Sequence, residues 1–126
     1  FVEALAKIEA AHPDAASRLQ KYGELFLDGF EEQLRPLCSA LASELAALPP
    51  SMHAKVRAYF DLHLEWLTRI IESGRLAGAL CWKGDAAKLA RLILTTLEGG
   101  SLVGRAKQSR SDVLAGFAQV LELARG

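Results

Sequence analysis

The sequence predicts an all-α domain of about six helices. Proline and glycine divide the chain into segments in which apolar and aromatic side chains recur every three to four residues, the period of one helix face. No stretch shows the alternation of β-branched or aromatic residues with polar ones that a half-buried strand requires. The clearest helical stripe lies in residues 52–73 and comprises Val56, Tyr59, Phe60, His63, Leu67, Ile70 and Ile71.

The composition is that of a single globular domain. A chain of 126 residues suits one domain, and 51% hydrophobic with 24% charged residues is enough for a real core. The 15 basic and 15 acidic residues cancel, so charge gives no case for binding nucleic acid or an anionic membrane. No apolar run approaches the roughly 20 residues of a membrane-spanning helix, and the start of the chain has no signal-peptide pattern.

The first two predicted helices are separated by a proline. Residues 1–11 have a loosely helical pattern and look like the end of a helix that enters from upstream, which also suits a chain that begins with Phe. His12-Pro13-Asp14 interrupts this pattern, because a residue before proline avoids the helical region. The next helix begins at Ala15, and its apolar stripe comprises Leu19, Tyr22, Phe26, Phe30 and Leu34.

Two further helices are predicted before Gly74. A short one covers residues 37–48 and ends at Pro49-Pro50. Ser51 is a suitable N-cap for the long helix of residues 52–73, since its hydroxyl can accept a hydrogen bond from a free backbone N–H. Gly74 is a natural helix stop, and residues 75–84 are predicted to form a loop.

Residues 85–107 form the most apolar predicted helix, and we expect the chain to be organised around it. Asp85 caps its start, and residues 89–104 carry only two charges, Arg91 and Glu98. A helix that is apolar on more than one side must be buried on more than one side, so we expect one face to meet the core and another to meet a second copy of the chain. One apolar row comprises Ala86, Ala90, Ile93, Leu97, Gly100 and Gly104, and a second comprises Leu92, Thr96, Gly99 and Val103.

The glycines of this helix indicate a close helix contact. Gly100 and Gly104 lie one turn apart, and Gly99 adjoins them. Each glycine inside a helix destabilises it by roughly 1 kcal/mol relative to alanine, so a close approach should compensate. The approaching helix can belong to a second copy or to the same chain. A last helix starts at Ser111 or Asp112, and its apolar side comprises Val113, Phe117, Val120, Leu121 and Ala124.

Aromatic residues in the first half of the chain are candidates for a ligand cavity. Binding pockets are mostly apolar with a few placed polar groups, and His63 lies on the apolar stripe as one such group. The alternative is that these rings are ordinary core and that His63 is a hydrogen-bonded core histidine. The candidate rings are Tyr22, Phe26, Phe30, Tyr59, Phe60, Trp66 and Trp82.

No motif for catalysis, metal binding or a cofactor is present. A di-iron bundle needs paired Glu-x-x-His motifs, but only Glu9 and His12 have that spacing. Gly-x-Ser-x-Gly and phosphate-binding glycine loops are absent from the sequence. Cys38 and Cys81 have no metal or redox spacing, so we interpret both as buried free thiols in a reducing cytosol.

The order of several short motifs resembles the C-terminal regulatory domain of TetR-family transcriptional regulators. Their succession covers most of the chain, and the subgroup to which it is most similar is that of the LmrA/YxaF-type repressors of multidrug-resistance operons. The matching pieces are Leu41-Ala42-Ser43-Glu44-Leu45, Leu48-Pro49, Tyr59-Phe60, Glu65-Trp66-Leu67, Gly74-Arg75-Leu76-Ala77-Gly78-Ala79-Leu80, Asp85-Ala86 and Leu97-Glu98-Gly99-Gly100.

The resemblance implies a ligand cavity, a dimer and a missing domain. A helix-turn-helix domain should precede Phe1, so DNA is expected as a partner only through that domain, which this chain lacks. The last two long helices of each subunit, residues 85–107 and 111–125, should form a four-helix bundle in a homodimer. We expect the cavity to be lined by Tyr22, Phe26, Phe30, Phe60, His63 and Trp66. We assign the dimer interface to Ile93, Leu97, Gly100, Gly104, Phe117, Val120 and Leu121.

These expectations lead to one function and one alternative. Residues 1–126 are expected to be the effector-sensing and dimerisation domain of a cytoplasmic one-component regulator, whose small, largely apolar ligand releases the dimer from operator DNA. We expect no enzymatic activity, metal, cofactor or membrane contact. The alternative is a helical homodimeric interaction module whose core is filled and which binds no small molecule.

Overall fold

Five α-helices make up the described parts of the chain: α1 (Val2–Ala11), α2 (Ala15–Glu31), α3 (Pro50–Leu76), α4 (Ala86–Lys107) and α5 (Ser111–Arg125). The structure, a computed structural model, describes residues 2–31 and 47–126, without the side chains of residues 30 and 31. These two stretches contain no strand, so the all-α prediction is confirmed. The short helix predicted over residues 37–48 lies, up to residue 46, outside the described residues, as does Cys38.

Proline and aspartate determine where α3 and α4 begin. Helix α3 starts at Pro50, with Pro49 at the N-cap in an extended conformation (φ −59°, ψ 150°). The fixed φ of proline suits a first helical turn, so the predicted cap Ser51 lies inside the helix instead. Helix α4 starts as predicted, because the side chain of Asp85 accepts a hydrogen bond of 2.9 Å from the backbone N–H of Ala87.

Gly74 does not end α3, although the sequence suggested a stop there. It is buried within the helix, and a Cβ at this position would lie 2.5 Å from the Cβ of Ala15 and 2.9 Å from the side chain of Leu80. The absence of a side chain therefore lets the start of α2 and the following loop pack against α3. The chain leaves the helix at Gly78 instead, whose φ of +78° is easily adopted only by glycine.

Helices α4 and α5 form an antiparallel hairpin across a turn of residues 108–110, and they make the most extensive helix contact in the described chain. Helix α4 also packs on α3, while α2 packs against α3, α4 and α5, and α1 lies on α2. These contacts enclose one hydrophobic core. Its fully buried members include Leu19, Tyr22, Leu67, Ile70, Leu89, Ile93 and Leu97.

Gly100 and Gly104 bring α4 and α5 of the same chain into close contact. A Cβ at Gly100 would collide with the backbone carbonyl oxygen of Val113. A Cβ at Gly104 would lie 2.9 Å from both the carbonyl oxygen of Ser109 and Cγ2 of Val113. Of the two possibilities that the sequence left open, the structure therefore shows the contact within one chain.

The residues assigned to the dimer interface are engaged in packing within one chain. All seven assigned residues take part in packing within a single chain, where they are buried or, at Gly100, abut the backbone of α5. Side chains enclosed in this way offer almost no surface to a second copy, and they face inward because the glycine row fits against α5. The seven residues, whose role in a dimer stays a prediction, are Ile93, Leu97, Gly100, Gly104, Phe117, Val120 and Leu121.

The second apolar row of α4 faces outward. Leu92 and Val103 are 42% and 46% exposed, and nothing lies within 4 Å of the Cβ position of Gly99. Thr96 is half-buried beside Gly116 of α5. The sequence thus identified two apolar rows, but we assigned the inner row to the interface.

The substitution Gly100→Ala should destabilise the fold by about 1–3 kcal/mol, because the added methyl group collides with the carbonyl of Val113. Thermal unfolding measures the loss. Since the contact lies within one chain, the loss should be the same at low and at high micromolar protein concentration. An unchanged melting temperature, or a loss that varies with concentration, would contradict this packing.

Candidate functional site

Facing stripes of α2 and α3 bring six ring side chains together. Tyr22 and Phe26 are four residues apart on α2, so they project from the same side of that helix. Phe60, His63 and Trp66 follow one another at intervals of three residues on α3. We term this group the aromatic cluster, and it comprises Tyr22, Phe26, Tyr59, Phe60, His63 and Trp66.

Tyr22 lies at the centre of the aromatic cluster and is completely buried. Its ring centroid lies 5.6 Å from that of Phe26 in an edge-to-face arrangement and 5.6 Å from that of Trp66 in a stacked one, with an interplanar angle of 27°. Aromatic pairs at such separations stabilise a fold beyond the burial of their surface. Tyr22 therefore holds α2 and α3 at a defined distance.

Tyr59 and Phe60 form the outer margin of the aromatic cluster. The ring centroid of Tyr59 lies 4.6 Å from that of His63, and that of Phe60 lies 6.4 Å from that of Tyr59. Both side chains are half-buried, whereas His63 is only 1% exposed. This margin is thus the side on which the aromatic cluster meets solvent.

The polar centre of the aromatic cluster is a hydrogen bond of 2.7 Å between the Tyr22 hydroxyl and Nδ1 of His63. Its direction depends on the histidine tautomer. Burial lowers the pKa of His63 to about 4, because apolar surroundings disfavour the charged imidazolium. Near neutral pH, His63 is therefore an uncharged polar group among aromatic rings.

Five of the six predicted cavity residues come together in the structure. Tyr22 contacts the rings of Phe26, His63 and Trp66, and all four residues are buried. Phe60 lies at the margin. The side chain of Phe30 lies outside the described residues. Whether these residues bind a ligand stays a prediction.

Glu9 of α1 completes the surroundings of the aromatic cluster, and sequence reasoning missed it. Its carboxylate accepts hydrogen bonds from Nε1 of Trp66 at 2.8 Å and from the guanidinium of Arg69 at 2.6 and 2.9 Å. The Arg69 bonds, together with that from Trp66, lower the pKa of Glu9 to about 2. The partners lie 57 and 60 residues away, so no local spacing could have indicated them.

An open cleft of about 500 Å³ lies between α3 and α4, beside the aromatic cluster rather than within it. None of the six predicted cavity residues lines it, and five of its eight lining residues are charged. The cleft is therefore not the apolar cavity that the sequence predicted. Its lining comprises Asp61, Leu64, Glu65, Thr68, Arg69, Glu72, Ala87 and Arg91.

Residues 2–31 and 47–126 show neither a metal-binding group nor a membrane-spanning helix. Within these residues, no group of three His, Cys, Asp or Glu side chains could hold a metal ion. None of the helices described is long and apolar enough to cross a membrane. Cys81 is exposed, which corrects its interpretation as a buried thiol.

The fold is similar to that of a TetR-family transcriptional regulator from Agrobacterium tumefaciens, with a TM-score of 0.91 and 28% sequence identity. The similarity covers 97% of this chain but 65% of the other, so this chain spans about two-thirds of that protein's length. No family model and no curated protein matches the sequence. The likeness supports a transcriptional regulator domain, and the proposed subgroup stays a prediction.

Acidification from pH 7 towards pH 4 should destabilise the folded chain through His63. The unfolded chain takes up a proton near the ordinary histidine pKa of 6.5, whereas the folded chain does so only at a pKa of about 4. The contribution of His63 to the free energy of unfolding is therefore complete above pH 6.5. Up to about 3 kcal/mol of it is lost as the pH falls from 6.5 to 4. Urea unfolding at a series of pH values measures it.

The matched variant is His63→Gln, which keeps a polar side chain but does not titrate. Its unfolding free energy should fall less steeply than that of the parent between pH 6.5 and pH 4. Parallel profiles for the two proteins would show that His63 is not held neutral by burial.

Proposed function

We propose that this chain is the effector-sensing and dimerisation part of a cytoplasmic one-component transcriptional regulator, and that it catalyses no reaction. The observation that carries the proposal is the likeness of its fold to a TetR-family regulator. DNA reading is assigned to a helix-turn-helix domain elsewhere in a longer protein. In the proposed mechanism, the ligand shifts the helices, alters the spacing of two such domains and releases the dimer from operator DNA.

The proposed ligand site is the aromatic cluster together with Phe30. The rings of Tyr22, Phe26 and Trp66 supply flat apolar surface, while the hydroxyl–imidazole pair supplies one polar position. Since His63 is neutral, this position can hydrogen-bond a ligand but adds no positive charge. A small, largely apolar molecule with one hydrogen-bonding group fits this chemistry best.

We expect a ligand that binds among the described rings to move them. The described rings contact one another directly, and Tyr22 and Trp66 are 0% and 5% exposed. A ligand would therefore displace rings and favour a second arrangement of α2 and α3, which is what a sensor needs. The half-buried margin at Tyr59 and Phe60 is the proposed route inwards.

The same ring contacts favour a second candidate function. Buried rings in direct contact are also what the core of a helical interaction module without a small-molecule ligand would have. In that case the aromatic cluster serves stability alone, and function lies in the surface of α4 and α5. The two candidates differ in one observable, which is whether any small molecule stabilises the folded chain.

The proposed dimer uses the outward surface of α4 and α5. Six large hydrophobic residues are exposed in the described chain, and four of them lie on these two helices. On α4, Gly99 lies between the exposed residues Leu92 and Leu102 and has open space above it. A partner helix can therefore approach its backbone closely. An isologous contact would use the same patch on both subunits. The four residues are Leu92, Leu102, Val103 and Leu123.

A thermal-shift screen of the parent chain against hydrophobic and cationic drugs tests the sensor proposal. A ligand at about 100 times its dissociation constant stabilises a protein by about 2.7 kcal/mol, so we expect a rise in melting temperature of about 5 °C or more. Trp82→Phe should retain this shift, whereas Trp66→Phe, which alters the aromatic cluster, should reduce it. If no compound raises the melting temperature, the interaction module is the better account.

Sedimentation of the parent and of Gly99→Leu tests the dimer. A Cβ at this position has open space around it, and a leucine there would separate two closely approaching helices. We expect a dimeric parent and at least tenfold weaker association of Gly99→Leu, equivalent to about 1.4 kcal/mol. Glu122→Gln, an exposed change on α5, should associate like the parent. A parent that stays monomeric at high micromolar concentration would rule out this interface.

A further inference from the structure

The end of α1 is attached to α3 through the carboxylate of Glu9. Oε1 of Glu9 accepts from Nε1 of Trp66 at 2.8 Å and from Nη2 of Arg69 at 2.6 Å, while Oε2 accepts from Nη1 of Arg69 at 2.9 Å. Trp66 and Arg69 are three residues apart on α3, so both side chains reach the same side of that helix. One carboxylate on α1 thus holds two adjacent donors on α3.

Trp66 is also part of the aromatic cluster. Its indole stacks on Tyr22, with ring centroids 5.6 Å apart, and Tyr22 is hydrogen-bonded to His63. The face of the indole therefore contacts the aromatic cluster while its N–H contacts α1. Because a rigid ring carries both contacts, any displacement of the ring also moves the N–H.

We infer that Trp66 is a positioning residue that couples the arrangement of the aromatic cluster to the attachment of α1. A hydrogen bond weakens steeply as its donor leaves the geometry of about 2.7–3.2 Å, so a shift of the indole by about 1 Å is enough to lose the bond to Glu9. The inference rests on the proposed function only in that a ligand would be one cause of such a shift.

The remaining contacts of α1 limit how far the loss of the indole hydrogen bond can loosen this helix. Leu5 and Ile8 are buried, and Arg18 of α2 donates to the backbone carbonyl oxygens of His12 at 2.6 Å and Glu9 at 3.1 Å. The two Arg18 hydrogen bonds do not use the Trp66 side chain. Loss of the indole bond should therefore loosen α1 without detaching it.

The charge of Glu9 keeps the attachment present at ordinary pH. The bidentate pair with Arg69 and the indole N–H hold the pKa of Glu9 at about 2, so the carboxylate is ionised throughout the neutral range. Its strength as an anchor therefore varies with the position of Trp66 and Arg69 rather than with protonation.

Backbone hydrogen exchange of α1 in the ligand-free 126-residue chain tests the coupling. Trp66→Phe keeps a ring but removes the N–H donor, so amides of α1 should exchange about tenfold faster. Trp82→Phe, which removes the other indole, should leave α1 unchanged. Exchange of the amides of α4 and α5 reports global unfolding. The quantity compared is the increase in the exchange rate of α1 beyond any increase in α4 and α5.

A double-mutant cycle separates coupling from simple loss of packing. Tyr22→Leu removes the stacking partner of Trp66 and should speed exchange in α1 of the parent, yet add little in the Trp66→Phe background. If Tyr22→Leu does not fold, the comparison of Trp66→Phe with Trp82→Phe remains the test. Unchanged exchange in Trp66→Phe, or equal effects in both backgrounds, would overturn the inference.

The outcome is independent of the ligand screen. Non-additive exchange together with a failed screen would leave the coupling in place and reject the sensor function. Additive effects of the two substitutions on exchange, together with a successful screen, would reject the coupling and leave the sensor function in place.

Discussion

Burial of Tyr22 between α2 and α3 is the interaction on which the candidate site depends. Its ring contacts Phe26 on its own helix and both His63 and Trp66 on α3, so it fixes the distance between two helices that are far apart in sequence. The contact with Trp66 places the indole N–H where Glu9 of α1 can accept it. A single buried ring therefore organises three helices around one polar centre.

The hairpin of α4 and α5 provides the other half of the architecture. Two glycines let the helices of one chain approach closely, which turns the row that contains Ile93 and Leu97 inward and leaves Leu92 and Val103 outside. In the proposed regulator, this division separates the roles: α2 and α3 hold the sensed site, while the outer surface of α4 and α5 joins two subunits.

Periodicity predicted those features that depend on neighbours along one helix. The stripes of α2 and α3 identified the aromatic cluster, and Asp85 marked the start of α4. Two kinds of information were missing from the sequence. Both rows of α4 are apolar, so periodicity could not say which one α5 covers, and Glu9 meets Trp66 across 57 residues with no repeating pattern. Gly74 was misread for a similar reason, since its close contact with Ala15 is tertiary.

The most direct test of a sensing site linked to α1 is the NMR signal of the Trp66 indole N–H during titration with a stabilising compound. The chain has two tryptophans, so Trp82→Phe assigns the signals. We predict that the Trp66 signal shifts and exchanges faster with solvent as the compound binds, while the Trp82 signal stays in place. A bound compound that leaves the Trp66 signal unchanged would contradict the account.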